Sequence, residues 1–392
     1  MRAEEEFKRL GYREKSSSGV ENILIMRFDF IGDMVLTSGF LREIRANFPK
    51  ARITLVAEPA VYSAVEFCPY VNEVLMFSRK SLANNFPDMF EQIVNFCRDN
   101  LWQKKFSLAF APKPSGWKEP GVFMAWLSGA RERIGYGTGD YRETPDKSPV
   151  KFSDLDRLLL TKIIVPPSYH LCYAERIFYV LSASGYKINS KHMELFYNEA
   201  DSRRAQELLK TVPPNYKKVL LGLGATDLNR KYPVEMYLVA LKEIVKKNVV
   251  FVIVGGNSEI EDANFIQENL PAEKVLNLAG KTTLRETEAI ISQTDYYIGN
   301  VTGIMHMAAA AQIPVLTLYR EAEEMDKISF GGEFKGFPPL QTKAIVLRPA
   351  RRLGDCATLP TVYGGCCHVE PHCITQIPPE QIIACFEMLQ TL

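Results

Sequence analysis

Asn22-Ile-Leu-Ile-Met-Arg-Phe-Asp-Phe-Ile-Gly-Asp-Met-Val-Leu-Thr37 is where the chain declares its fold. The apolar run from Ile23 to Met26 is continuous, not alternating, as in a strand covered on both faces. From Asp33 onward the apolar residues keep a helical period: Val35, Leu36, Leu41, Ile44 and Phe48. A strand passing through a short turn into a helix is the first half of a βαβ unit. The pattern continues with strands read at 53–56, 73–77 and 106–110 and helices at 60–67 and 90–100. That order defines a doubly wound α/β domain.

The same order restarts after 208–216, where Pro213 and Pro214 mark a linker. Strands are read at 218–223, 249–254, 275–278, 296–298 and 315–318, and Pro233 fits the first turn of a helix running to Val245. A chain of 392 residues exceeds one ordinary α/β core. The expected organisation is a flexible lead-in over 1–21, an N-terminal Rossmann-like domain over 22–210 and a C-terminal one over 211–392. Ligands of two such domains are expected in a cleft between them, at strand C-terminal ends. Residues 112–155, rich in Pro and Gly, are read as irregular loops, and 169–186 as a long helix.

Hydrophobic residues make up 46% of the chain and charged residues 24%, ordinary for a globular protein. The net charge of +1 gives no global attraction to nucleic acid, which is excluded as an expected partner. No apolar run is long enough to span a bilayer. The opening Met-Arg-Ala-Glu-Glu-Glu-Phe-Lys-Arg-Leu has no signal-peptide core. A cytoplasmic location is expected, with attachment to a membrane surface left open.

Cys68, Cys97 and Cys172 are scattered, as buried thiols are. Cys356, Cys366, Cys367, Cys373 and Cys385 crowd the tail, with His368 and His372 among them. The run lacks the C-x₂-C pair that commonly opens a zinc site, so free thiols or a local disulfide are expected there ahead of a metal. A cytoplasmic location favours the free form.

The second domain carries Tyr296-Tyr-Ile-Gly-Asn-Val-Thr-Gly-Ile-Met-His-Met-Ala-Ala-Ala-Ala311. It reads as a strand, a tight turn and a helix of small residues. The amides at such a helix start suit phosphate, with Thr302 adding a hydroxyl and Gly303 permitting close approach. The alternative is a plain βα turn. His306, one turn in, either lines the ligand space or supports the turn from the core. Arg230 and Lys231 follow a Gly-Leu-Gly-Ala turn and are placed to meet a diphosphate, or form a basic helix approach that the dipole disfavours. Gly255-Gly-Asn-Ser-Glu259 either holds a ribose through Asn257 or Glu259 or simply caps a helix.

In the first domain Asp33 is either a helix cap or a general base. Gly32 is read as the sharp turn that lets a ligand approach. Arg27, near Asp29, either binds an acceptor anion or pairs with a carboxylate. The absence of a third glycine argues against a dinucleotide site. Lys113, Lys118, Arg131, Arg133, Arg142, Lys147 and Lys151 recur through the loop region, either as acceptor contacts or as a solvated surface.

Ile23-Leu-Ile-Met-Arg-Phe-Asp-Phe-Ile-Gly-Asp-Met-Val-Leu-Thr-Ser38 resembles the opening of the lipopolysaccharide heptosyltransferases, glycosyltransferase family 9. The run from Gly299 to Ala310 resembles the donor-binding segment of that family. Arg230-Lys-Tyr-Pro233 and the tail ending Ile377-Pro-Pro-Glu-Gln-Ile also fit.

The resemblance implies a GT-B fold and an inverting transfer of heptose from ADP-heptose to a lipopolysaccharide core, with no cofactor or obligatory metal. Asp33 matches the catalytic aspartate, and Arg230 falls where members place a donor-phosphate lysine. Asn300, Thr302, Gly303 and His306 fall in the donor segment with Lys231 and Asn257, and Glu259 is a looser match to a ribose contact. Arg27, Gly32, Lys113, Arg131 and Arg133 are expected on the acceptor side, facing a glycolipid or oligosaccharide, with peripheral contact at the inner membrane. One departure stands out. Members read Asn-Asp-(Ser/Thr)-Gly where this chain has Asn300-Val-Thr-Gly303, so a carboxylate is replaced by an apolar side chain. A nucleotide-sugar epimerase or phosphorylase of the same fold, and a non-catalytic sugar-nucleotide-binding module, are the alternatives.

Overall fold

A computed structural model describes residues 21–82, 85–113, 120–136, 154–165, 172–324, 338–358 and 368–392. The chain divides into two compact units, Met1–Lys191 and His192–Leu392. The lead-in, Lys118, Arg142, Lys147, Lys151, Cys366 and Cys367 lie outside the described residues.

The first unit contains β1 (Asn22–Arg27), α1 (Ile31–Asn47), β2 (Arg52–Ala57), β3 (Glu73–Met76), α2 (Phe86–Asn100) and β4 (Leu108–Ala111). It continues with α3 (Pro120–Leu127), β5 (Glu132–Tyr136), α4 (Asp154–Leu159), β6 (Lys162–Ile164) and α5 (Tyr173–Ala183). Its strands form one sheet in the order β3-β2-β1-β4-β5-β6. Every pairing is parallel.

The second unit contains α6 (Glu199–Leu209), β7 (Lys217–Gly222), α7 (Val234–Ile244), β8 (Val249–Ile253), α8 (Ile260–Asn269) and β9 (Val275–Asn277). It continues with α9 (Leu284–Ile291), β10 (Tyr296–Asn300), α10 (Gly303–Ala310), β11 (Val315–Leu318), β12 (Ala344–Leu347) and α11 (Pro379–Leu389). The sheet order is β12-β11-β10-β7-β8-β9, again all parallel.

Both sheets therefore share the Rossmann winding, 3-2-1-4-5-6 within each unit. The winding reverses between β1 and β4 in the first and between β7 and β10 in the second. Crevices open at such reversals beyond the strand C-termini, and ligands of this fold class bind there. The central strands are buried on both faces, Ile23, Leu24 and Ile25 in one unit and Val219, Leu220 and Leu221 in the other.

Three readings from the sequence need correction. Residues 112–155 are not all irregular: α3 is wholly buried and β5 pairs with both β4 and β6. The Pro and Gly content obscured them because these elements are short and hydrophobic all round. The long helix read over 169–186 is shorter, spanning Tyr173–Ala183. The division between units falls between Lys191 and His192, ahead of the boundary read from Pro213 and Pro214. Helix α6 belongs to the second unit, where Asp201 pairs with Arg285 at 3.1 Å and the Phe196 amide donates to Glu288 at 3.2 Å.

Candidate active site

In the first unit the site elements leave the C-terminal edge of the sheet. Phe30 is extended, so α1 begins at Ile31 and Asp33 is its third residue. Gly32 is therefore a buried helical residue, and the bend lies before it at residues 28–30. This corrects the sharp-turn role expected of Gly32.

Arg27 ends β1 with its side chain wholly buried. Its Nη2 lies 3.0 Å from Asp29 Oδ2 and donates to the Tyr173 hydroxyl at 3.2 Å. That hydroxyl donates in turn to Asp29 Oδ1 at 3.2 Å. Lys113, just past β4, places Nζ 2.7 Å from the same Oδ1. Arg27 is thus a buried carboxylate partner, not a surface anion receptor. The expected acceptor contact is corrected on that ground, since a guanidinium without solvent access is not offered to an acceptor.

Asp33 is half-buried beside this cluster. Among the described residues its carboxylate accepts from the Phe30 amide at 3.4 Å, long for a charge-assisted cap. Burial, and then the charge of Asp29, raise its pKa to about 6 against the opposing pull of Arg27. Burial also pushes Asp29 up, but Arg27 and Lys113 outweigh it and hold that carboxyl below its ordinary range. Two neighbouring carboxylates are thereby driven apart: one stays ionised, and the other is poised near neutrality.

Arg131 and Arg133 are not part of this cluster. Ile23 pairs with Leu108, and Leu108 with Glu132, so both arginines lie level with the start of β1, at the opposite end of the sheet. Arg133 ties the Ala130 and Leu159 carbonyls at 2.8 Å each. The acceptor role expected of both is corrected: beyond Lys113 the chain returns through α3 to the start of β5, so basic residues near one another in sequence lie at opposite ends of the sheet.

In the second unit the reversal is bridged by Asn300, at the end of β10 and fully buried. Its Nδ2 donates to the Leu223 carbonyl at 2.8 Å and the Gly224 carbonyl at 3.2 Å, just beyond β7. Its Oδ1 accepts from the Tyr232 amide at 3.1 Å and the Tyr237 hydroxyl at 3.0 Å. All its polar capacity is used within the fold. Asn300 positions the loops and does not itself contact a donor, a correction to its expected role.

Thr302 is the extended residue before α10, and Gly303 is the first helical residue. The first amides of α10 lack intrahelical partners and aim outward at the reversal, which suits an anion. His306 is buried beneath this turn, and burial lowers its pKa to about 4, so its ring is neutral at pH 7.

Arg230 closes a short 3₁₀ turn, Leu228–Arg230, two residues before Tyr232, and is therefore held near the reversal. Its Nε lies 3.3 Å from Asp227. Lys231 instead pairs with Asp262 at 2.6 Å. Glu259 accepts from the Gly256 amide at 2.7 Å and from Ser258 at 2.6 Å, and its carboxylate lies over Gly224, where an added Cβ would stand 2.7 Å from Oε1. It lies at the mouth formed by β7 and β8; Asn257 is exposed on the same turn. Tyr297 completes the wall. Its hydroxyl donates to the Asn300 carbonyl at 2.7 Å, and its ring fills the space over Gly222 and Gly299.

Asp29, Tyr173 and Asp262 fix the charged groups; the sequence pointed to Asp29 beside Arg27 but not to Tyr173 or Asp262. Tyr173 comes from α5, and no periodicity or spacing announces a partner so far along the chain.

Two parallel sheets of this order, each with ligand-suited turns at its winding reversal, define a GT-B-like pair of Rossmann-like domains. Residues 157–348 match the family model of glycosyltransferase family 9 (heptosyltransferase). It is 23% identical over 336 residues to lipopolysaccharide heptosyltransferase 2 of Salmonella typhimurium, covering 83% of this chain and 87% of that one. Lipopolysaccharide heptosyltransferase 2 of Escherichia coli is also 23% identical, over 335 residues, with the same two coverages. Among solved structures, a glycosyl transferase family 9 protein from Veillonella parvula superposes with a TM-score of 0.74 at 18% identity, over 96% of this chain and 99% of that one. The ADP-heptose lps heptosyltransferase II of E. coli gives 0.66 at 18% identity, over 94% and 98%. No helix among the described residues is long and apolar enough to cross a membrane.

Proposed function

We propose that the chain is an inverting glycosyltransferase that moves a heptose or related sugar from an ADP-sugar to a lipopolysaccharide-core or other surface-glycan acceptor at the cytoplasmic face of the inner membrane. The observation that carries this reading is Asp33: a half-buried carboxyl, barely engaged as a cap, with a pKa near 6. A general base works best when its pKa lies near the operating pH.

In the proposed step Asp33 takes the proton of an acceptor hydroxyl. That oxygen forms the new bond to the anomeric carbon on the face opposite the diphosphate, and the carbon–oxygen bond to the diphosphate breaks. ADP departs with the electron pair. The amides at Thr302 and Gly303, with Arg230, receive the developing charge. Neutral His306 supports the amide turn without adding charge. Glu259, above Gly224, is placed for a ribose hydroxyl. Lys231, held by Asp262, contributes to the local field from a fixed position.

Val301 favours a second reading, a module that binds the sugar nucleotide without transferring it, because the family's carboxylate is missing there. Asp33→Asn separates the two. Transfer predicts a loss of turnover of about 10²–10⁴-fold with donor-induced thermal shift retained. Donor binding without turnover in the unaltered chain, across a panel of glycolipid acceptors, supports the binding module instead.

A further inference from the structure

The tail of the second unit gathers side chains that take no part in the proposed transfer. Cys356 lies in a 3₁₀ turn, Gly354–Thr358, and His372 immediately precedes another, Cys373–Gln376. His372 Nδ1 lies 3.7 Å from Cys356 Sγ and 3.6 Å from Cys373 Sγ. All three atoms fall within 4.8 Å of one another. Both cysteines are buried, and the imidazole is half-buried.

These separations have a specific meaning. A tetrahedral zinc ion with Zn–S near 2.3 Å and Zn–N near 2.0–2.1 Å has sulfur-to-nitrogen edges of about 3.6 Å. The two observed edges match it. The Leu353 amide donates to Cys373 Sγ at 3.4 Å, the kind of outer contact that orients a thiolate ligand. The His372 ring is stacked on His368 with centroids 3.8 Å apart, which fixes its plane.

We propose that Cys356, His372 and Cys373 form a zinc site, with a fourth position taken by water or a further donor. Two thiolates and an imidazole are a soft to borderline set, suited to zinc and not to magnesium or calcium. The sequence reading ranked a metal below free thiols or a disulfide because the C-x₂-C pair is missing. The fold replaces that pair by bringing together Cys356 and a residue 16 positions later. The role of the ion is structural. The His368 carbonyl accepts from Asn229 Nδ2 at 2.9 Å, and Asn229 Oδ1 accepts from Arg320. A metal that closes the tail therefore steadies Asn229, the neighbour of Arg230.

The test uses the full chain, purified without metal-affinity steps, with zinc measured by plasma mass spectrometry against protein concentration. Close to one zinc per chain is expected, with a drop of about tenfold or more in Cys356→Ser and Cys373→Ser. Cys385→Ser, on α11 and outside the cluster, keeps the full complement. Substitution with cobalt(II) gives thiolate-to-metal charge-transfer absorption in the unaltered chain. Because a cysteine variant can fail to fold, the unaltered chain is also stripped with chelator and refilled. Zinc, and not magnesium, then raises the melting temperature. Negligible zinc in the unaltered chain, undiminished zinc in both cysteine variants, or a Cys356–Cys373 disulfide found by thiol titration overturns the proposal.

Discussion

Lys113 Nζ stands 2.7 Å from Asp29 Oδ1, across the seam at which the first sheet reverses its winding. Together with Arg27 it keeps Asp29 ionised, and ionised Asp29 in turn raises Asp33. The poise of Asp33 is thus set by a neighbour that never needs to meet the acceptor.

Transfer activity is expected to fall as pH drops below about 6, because Asp33 must be unprotonated to accept a proton. The profile of log kcat/KM should rise with unit slope below that pH and flatten above it. A flat profile through that range excludes Asp33 as the titrating base.

Arg27→Met is expected to cost about 3–5 kcal/mol of stability, since it strips a buried carboxylate of a buried partner. Lys113→Met, at a partly exposed position, should cost about 1 kcal/mol or less. Both cations lower the pKa of Asp33, so both variants should move the acid limb of the activity profile to higher pH. Denaturant melts and pH profiles measured side by side check the two effects independently.

Asn300→Ala leaves the Tyr232 amide and the Tyr237 hydroxyl without an acceptor and releases the loop beyond β7. A loss of about 2–4 kcal/mol is expected, with weaker ADP binding as a second consequence. Calorimetry with ADP measures the latter. Asn300→Asp should not rescue either, because a carboxylate cannot donate to the Leu223 and Gly224 carbonyls.

Glu288, buried behind α6, has its pKa raised by burial to about 8. The folded state therefore binds this proton more tightly than the unfolded chain does. Its contribution is fully present below the ordinary glutamate range and is lost as pH rises through about 8. The loss is at most about 5 kcal/mol, converting the shift at about 1.4 kcal/mol per unit. Glu288→Gln keeps an acceptor for the Phe196 amide and removes the titration. Its melting temperature should match the parent at pH 5 and exceed it at pH 9.

The two sheets were legible because their central strands are continuous apolar runs, such as Ile23 to Met26 and Val249 to Ile253, each followed by a helical period. Short β5 and β6 were not, because Pro and Gly surround them and three to five residues carry little periodicity. Asp33 and the Thr302–Gly303 turn were legible from their place directly after strands. Asn300 was misread for the same reason: its position resembles a ligand contact, while its side chain is spent on two carbonyls and two tyrosines. Arg131 and Arg133 were grouped with Lys113 by proximity along the chain, which says nothing about which end of a parallel strand a residue occupies.

The Tyr297 ring carries a consequence for how this chain can diverge. The three atoms nearest to any Cβ at position 222 all belong to that ring, so enlarging 222 requires shrinking 297. Position 299 is stricter, since a side chain there also meets the Gly222 backbone. A larger residue at 222 therefore depends on a smaller one at 297, while 299 is expected to stay glycine. A mutational library that enlarges 222 or 299 while Tyr297 is kept is expected to yield few folded chains.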